Sequence, residues 1–324
     1  MDNRYLVTST PHILSDDTIE KIMRDVLIAL TPSAIMAVYY FGLKALGLIV
    51  LTVAACVGFE YLYFRLTKRP NTITDLSAVV TGVLLAFNLP PTAPFWMAIV
   101  GAFVAIVITK QLFGGLGQNF MNPALAARAF LMAAYTPQMA STWTTASPFG
   151  FDAVATATPL SIIKEDPGYI LSSNDVLNAL LGNTAGCIGE TCALALIAGG
   201  IYLLARKIIS WRVPATYIGT VFILSTVLGR NGFMTGAGWY EILAGGLMMG
   251  AFFMATDYAT SPVNDWGKII MGVGCGILTV VIRNYGGYPE GVSYSILIMN
   301  LFVPLLDKYC AARVFGTKKA GQKL

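Results

Sequence analysis

Hydrophobic positions in this chain gather into long runs separated by short polar links. Runs with loose edges lie at 24–42, 45–64, 76–89, 95–109, 123–136, 191–208, 213–229, 241–256, 267–283 and 292–307. A hydrocarbon layer about 30 Å thick takes about 20 apolar residues per helix, fewer where the helix is broken. The pattern therefore predicts an all-α polytopic membrane protein with about ten transmembrane helices. One long polar stretch, 137–190, rich in Thr, Ser, Gly, Asn and Pro, separates the fifth run from the sixth. Loops of that length are usually functional. The chain divides accordingly into an N-terminal segment 1–23, a five-span unit 24–136, the loop 137–190, a second five-span unit 191–307 and a basic tail 308–324.

Composition supports this reading. Hydrophobic residues make up 56% and charged residues 12% of the chain, and mean hydropathy is +0.67, whereas soluble domains carry about 25% charge. These values exclude a soluble enzyme, a secreted disulfide scaffold and a disordered protein. The net charge of +4 does not point to nucleic acid, because the bases cluster beside apolar runs as membrane anchors do. With ten spans, sixteen of the 21 Lys and Arg fall on the side of the N-terminus, four fall opposite and Arg128 lies inside a span. The positive-inside rule then puts both termini in the cytoplasm and the long loop outside. The polar start, with Asp16, Asp17 and Glu20, is no signal peptide, so the first span is expected to start export itself. Five cysteines form no Cys-x-x-Cys pair. Cys187 and Cys192 could pair on an oxidising side, but two unpaired small hydrophobes are the preferred reading. The single histidine, His12, excludes a multi-histidine metal or haem site.

The two halves look related. LLAFNLPP is followed by an apolar run, Lys110 and Gly114–Gly115; FFMATDYATSP is followed by an apolar run, Arg283 and Gly286–Gly287. Five spans per half inverts the second relative to the first, and short Pro-interrupted segments at matching places point to broken helices meeting at the midplane. Asn122–Pro123 has the form of an N-cap followed by proline at the first helical position, and Ser261–Pro262 could do the same in the second half. Helix N-termini attract phosphate or an anionic ring, though a plain helix start is the simpler reading. Ionisable groups within or near spans are Glu60, Arg128, Glu241 and Asp257. Arg128 could meet a cofactor phosphate or a flavin edge, or else pair with a carbonyl or a partner subunit. Glu60, near a span end and shortly before Arg65, reads as an interfacial charge.

The most distinctive string lies in the loop: Asp152, Ala153, Val154, Ala155, Thr156, Ala157, Thr158, Pro159, Leu160. Small residues allow close approach, Pro159 stops a helix from running through, and two threonine hydroxyls are offered as acceptors for a modifying enzyme. Here the chain resembles the flavinylation motif of the Rnf D protein and its relative NqrB, approximately Asp-Gly-x-Ser-Gly-Ala-Thr. Asp152 takes the acidic position, Ala157 the alanine and Thr158 the threonine that carries FMN through a phosphoester. Ala153, Ala155 and Thr156 depart from the pattern. Thr156 is a rival acceptor, but only Thr158 has Asp152 six residues upstream. TPHILSDDTIEKIMRDVLIALTP, LLAFNLPP, KQLFGGLGQNFMNPALAARAF and FFMATDYATSPVNDWGK are similar to further blocks of the family, in order. The short N-terminal extension favours the Rnf protein over NqrB.

The resemblance implies a membrane component of an ion-translocating ferredoxin:NAD⁺ oxidoreductase in the cell (inner) membrane, coupled to Na⁺ or H⁺ movement. Implied partners are the other Rnf proteins (A, B, C, E and G) and a flavin transferase for maturation; no nucleic acid is expected. The implied fold is urea-transporter-like, with two inverted repeats. Implied cofactors are FMN on Thr158, within a site of Asp152, Ala157, Asn122 and Arg128, and a second, non-covalent riboflavin or FMN between the broken helices. The alternative is a small-solute transporter or channel of the same architecture without redox chemistry.

Overall fold

The computed structural model describes residues 17–69, 73–140, 143–144, 157–165, 172–190, 192–229, 232–233, 238–287 and 290–311. The first element, α1 (Ile19–Thr67), carries the first two apolar runs; the Thr18 hydroxyl caps it by accepting from the Lys21 N–H at 3.3 Å. Gly42 interrupts it with φ 71° and ψ −161°, a conformation that glycine adopts without the strain of a Cβ. Ile22, Met23 and Val26 of the first limb line one cleft with Lys110, and Glu60 of the second limb bonds that same lysine. The two limbs therefore fold back on each other at Gly42, as the separate runs 24–42 and 45–64 predict.

Helices occupy the other runs too. They are α2 (Ser77–Phe87), α3 (Phe95–Gln111), α4 (Pro123–Ala134), α5 (Thr136–Ala140), α6 (Pro159–Glu165), α7 (Ser173–Leu181), α8 (Ala193–Ala205), α9 (Arg212–Val227), α10 (Gly238–Leu243), α11 (Leu247–Met249), α12 (Asp265–Tyr285) and α13 (Val292–Tyr309). The second half of α3, Val104–Gln111, and the continuation of α11, Gly250–Met254, are wound as π-helix. A two-residue antiparallel ladder pairs Leu228–Gly229 with Gly232–Phe233. Helices α1 and α12 are long and apolar enough to cross a membrane; α2, α3, α4, α8 and α9 are shorter apolar helices. One core runs through both halves, from Leu30, Leu85 and Leu131 to Leu196, Met254 and Ile296.

Polar contacts sort the helix ends. Asp25 in α1 accepts from Arg206 after α8 at 3.2 Å, Arg212 at the start of α9 pairs with Asp265 at the start of α12 at 3.0 Å, and Asp307 in α13 accepts from the Val263 N–H at 2.9 Å. The start of α1 and the end of α13 thus share one end of the bundle. At the other end, Asn284 of α12 donates to Leu228 O beyond α9, and Lys164 of α6 donates to Gly286 O.

The two breaks meet in the middle. Helix α2 stops at Phe87 because Asn88 folds its amide onto Leu84 O at 2.6 Å. The carbonyls freed there are taken by the connection between α7 and α8: Gly189 N–H donates to Phe87 O and Ile188 N–H to Leu89 O, both at 3.0 Å. A Cβ on Gly189 would lie 2.3 Å from Phe87 Cβ, so only glycine permits this approach. From the second half, Met254 O accepts from Asn122 Nδ2 at 3.4 Å, and Asn300 Oδ1 accepts from the Asn122 N–H at 3.1 Å. Buried broken backbone is tolerated where protein groups satisfy it in this way.

Three expectations change. Ser261–Pro262 does not start α12, whose N-cap is Asn264; the chain runs further before turning helical. Glu60 is not interfacial: it is fully buried and bonds Lys110 at 2.7 Å and Gln111 at 2.6 Å. Lys110 and Arg283, counted among the flanking charges, are likewise buried, because each has a carboxylate partner inside the bundle.

Candidate functional site

Thr158 precedes α6 as its cap, with Pro159 at the first helical position. Its carbonyl accepts from the Ser161 and Ile162 N–H groups, and its hydroxyl lies 2.8 Å from the Ser161 hydroxyl and 3.3 Å from the Ser161 N–H. The side chain is not displayed to solvent, as the loop composition suggested: Thr158 is 4% exposed because Leu160 anchors α6 against Tyr240 and Ala244. It lines instead a recess of about 350 Å³, mouth included, whose other walls are largely small residues, among them Ala179, Ala185, Gly186 and Gly245. Glu190 and Glu290 complete its wall. Ala157 is exposed beside it. Asp152 and the rival acceptor Thr156 lie outside the described residues.

Beyond that wall stands Arg128, in α4, 5% exposed. Its Nη1 donates to Asn88 Oδ1 at 2.6 Å and Glu190 Oε1 at 2.8 Å; its Nη2 donates to Glu290 Oε2 and lies 3.6 Å from Cys187 Sγ. The guanidinium is thus engaged by two carboxylates, rather than left for a phosphate. Among the described residues, Glu190 Oε2 is buried without a hydrogen-bond partner. Cys187 and Cys192 are both buried and unbridged. Next to this cluster, across Gly245, Arg283 donates to Glu241 Oε2 at 2.8 Å and to the carbonyls of Glu241 and Ala244.

Asn122 belongs to a different feature. It caps α4 as its spacing predicts, Oδ1 accepting from Ala124 N–H at 3.1 Å and Leu125 N–H at 3.3 Å, with Pro123 at the first turn. It borders a larger cleft of about 770 Å³, mouth included, between α1, α2, the start of α4, α8 and the end of α11. Leu84, Leu116, Phe252 and Phe253 supply apolar walls; Lys110, Asn119 and Asp257 supply polar ones. Lys110 is held there by Glu60 and by Ser77 Oγ at 2.6 Å, while Asn119 Oδ1 is buried without a partner. The predicted site residues therefore divide: Thr158 shares a recess with the two glutamates that Arg128 bonds, and Asn122 serves the other cleft.

Sequence reasoning missed Glu190, Glu290 and Asn88. Neither glutamate falls in an apolar run, and they stand 62 and 162 residues along the chain from Arg128. The available signal was Arg128 itself, since a cation inside a span requires an anion nearby.

The chain matches the family described as "NQR2, RnfD, RnfE family" over residues 6–316. It is 49% identical to the D component of the Na(+)-translocating ferredoxin:NAD(+) oxidoreductase complex of Acetobacterium woodii, covering 97% of this chain and 96% of that one. It is 46% identical to the D component of the proton-translocating ferredoxin:NAD(+) oxidoreductase complex of Clostridium ljungdahlii, covering 98% of each. It is 37% identical to the D component of the ion-translocating oxidoreductase complex of Stutzerimonas stutzeri, covering 95% of each. The chain belongs to the NQR2, RnfD, RnfE family.

Proposed function

We propose that this chain is the flavin-bearing membrane component of an Rnf-type ferredoxin:NAD⁺ oxidoreductase, relaying electrons in a complex that moves Na⁺ or H⁺. The observation that carries the reading is the Thr158 hydroxyl, held at the start of α6, with Thr158 lining a recess walled largely by small residues. A phosphoester there would have the Ser161 N–H beside Oγ1 as a donor, while the Ser161 hydroxyl donates to the Thr158 carbonyl. A flavin there supplies one- and two-electron chemistry. In this reading Thr158 is the anchor and the Ser161 N–H steadies the tether.

The larger cleft fits the second, non-covalent flavin. Its apolar walls suit a ring face, and Asn119 Oδ1 is an unpartnered acceptor suited to a ring N–H.

The finer architecture in this reading is ten spans as two inverted five-helix repeats, urea-transporter-like. Two matched features support it. Helices α2 and α11 break at equivalent places, and α3 and α12 each end in a buried cation paired with a carboxylate. Lys110 lies toward the end of the bundle that holds the start of α1, and Arg283 toward the end that holds α6, as inversion requires. With the positive-inside count, both termini are cytoplasmic and Thr158 faces outward. The other Rnf proteins (A, B, C, E and G) and a flavin transferase are the partners.

Intact-protein mass spectrometry of the natively expressed chain is expected to show an added FMN phosphoester, with in-gel flavin fluorescence lost in Thr158→Ala. A chain of unmodified mass, despite a competent transferase, would falsify this reading and leave the transporter or channel. Fluorescence that survives Thr158→Ala but vanishes in Thr156→Ala would move the anchor to Thr156.

A further inference from the structure

Lys110 and Arg283 each meet one carboxylate; Arg128 meets two. Side-chain exposures are 6% for Arg128, 2% for Glu190 and 9% for Glu290, so water does little to screen the cluster. The ligand atoms of the two glutamates and Cys187 Sγ lie within 4.8 Å of one another. With both glutamates ionised, the cluster carries one surplus negative charge. The charged neighbours do not cancel it, because Arg283 and Glu241 across Gly245 neutralise each other. An uncompensated buried charge is costly, and two carboxylates sharing one site do not readily ionise together.

Three occupants could restore balance. A divalent metal over-corrects, because Arg128 already holds both carboxylates and the sum becomes positive. Sodium has the right charge but needs several oxygens, and the buried unpartnered oxygen at this cluster is Glu190 Oε2 alone among the described residues. A proton has the right charge and needs just that one atom. The cluster also borders two recesses: Glu190 and Glu290 line the one that Thr158 lines, and Glu290 lines a second, of about 230 Å³ with its mouth included, with Arg128, Ser293 and Tyr294.

We propose that Glu190 and Glu290 share one exchangeable proton, held on the Glu190 Oε2 side, with Arg128 and Asn88 positioning the carboxyls. Water in either cavity delivers it: an O–H bond forms on the carboxyl, hydroxide is left to bulk water, and no electron moves. This site goes beyond the flavin reading and does not depend on it, since every group belongs to this chain.

Infrared difference spectroscopy of the full-length chain in lipid nanodiscs tests it. The wild type is expected to show a carboxylic-acid carbonyl band that shifts in D₂O and is unchanged when NaCl replaces choline chloride. Glu190→Gln and Glu290→Gln are each expected to remove it, because the remaining carboxylate is then neutralised by Arg128. Loss in both variants, although each keeps one glutamate, separates a shared proton from a protonated acid elsewhere. Thr158→Ala is expected to keep the band while losing flavin, so the two readings fail separately. No exchanging band in the wild type, a band that survives in both glutamine variants, or one displaced by Na⁺ overturns the proposal. Should the glutamine variants not fold, Glu190→Asp and Glu290→Asp, which keep both acids, are each expected to shift the band's frequency, and a band unmoved in both overturns the proposal.

Discussion

Two buried arginines do different work: Arg128, which bonds Glu290, and Arg283, which lies across Gly245 from that glutamate. Arg283 is 1% exposed and closed off: one carboxylate and two backbone carbonyls accept from its terminal nitrogens. Its charge is matched, and it ties the end of α12 to α10. Arg128 is matched twice over, reaches the broken end of α2 through Asn88, and borders one cavity directly and a second through its glutamates. A closed pair is a strut. A cluster with one acid too many and an approach for water is a place where charge can change.

The contrast is most exposed to test at Arg128. Arg128→Met leaves two buried carboxyls with no cation, and removing one partner of a buried pair costs about 3–5 kcal/mol. The expected result is little or no folded chain, measured as detergent-soluble monodisperse protein. Adding Glu190→Gln should rescue only in part, because Glu290 keeps its charge. Arg283→Met is expected to cost about 3–5 kcal/mol for the same reason, seen as a lower thermal midpoint in detergent. There, the single addition of Glu241→Gln should recover most of the loss, because among the described residues Arg283 forms an ion pair with that one carboxylate. Equal rescue at both sites would erase the distinction. Thr158→Ala is expected to do least: it removes the hydroxyl contacts to Ser161 and costs about 1 kcal/mol, as helix caps do. A large drop in its midpoint would make Thr158 a structural residue first.

Much of the fold was legible because lipid imposes a simple demand. Apolar runs of the length that lipid demands read as helices, and helices occupy the runs 24–42 through 292–307. The Gly42 reversal was visible as the gap between the first two runs, and Asn122–Pro123 announced a helix start through local chemistry alone. The site was less legible. Thr158 stood out by its string, but its burial depends on α6 lying against α10, which no local pattern encodes. Glu60 and Lys110 looked like surface charges because each neighbours a span end; they are buried because they found each other across 50 residues of chain.

The helices, the break at Asn88, the helix start at Asn122 and the family thus follow from chain order, because they rest on contacts between near neighbours or on blocks of residues read in sequence. The acids that Arg128 meets do not. The connection before α8 folds in to satisfy the carbonyls at the end of α2, and in doing so carries Glu190 and Cys187 to the arginine. Charge balance inside a low-dielectric bundle is a property of what ends up within a few ångströms, and that is settled only when the helices pack.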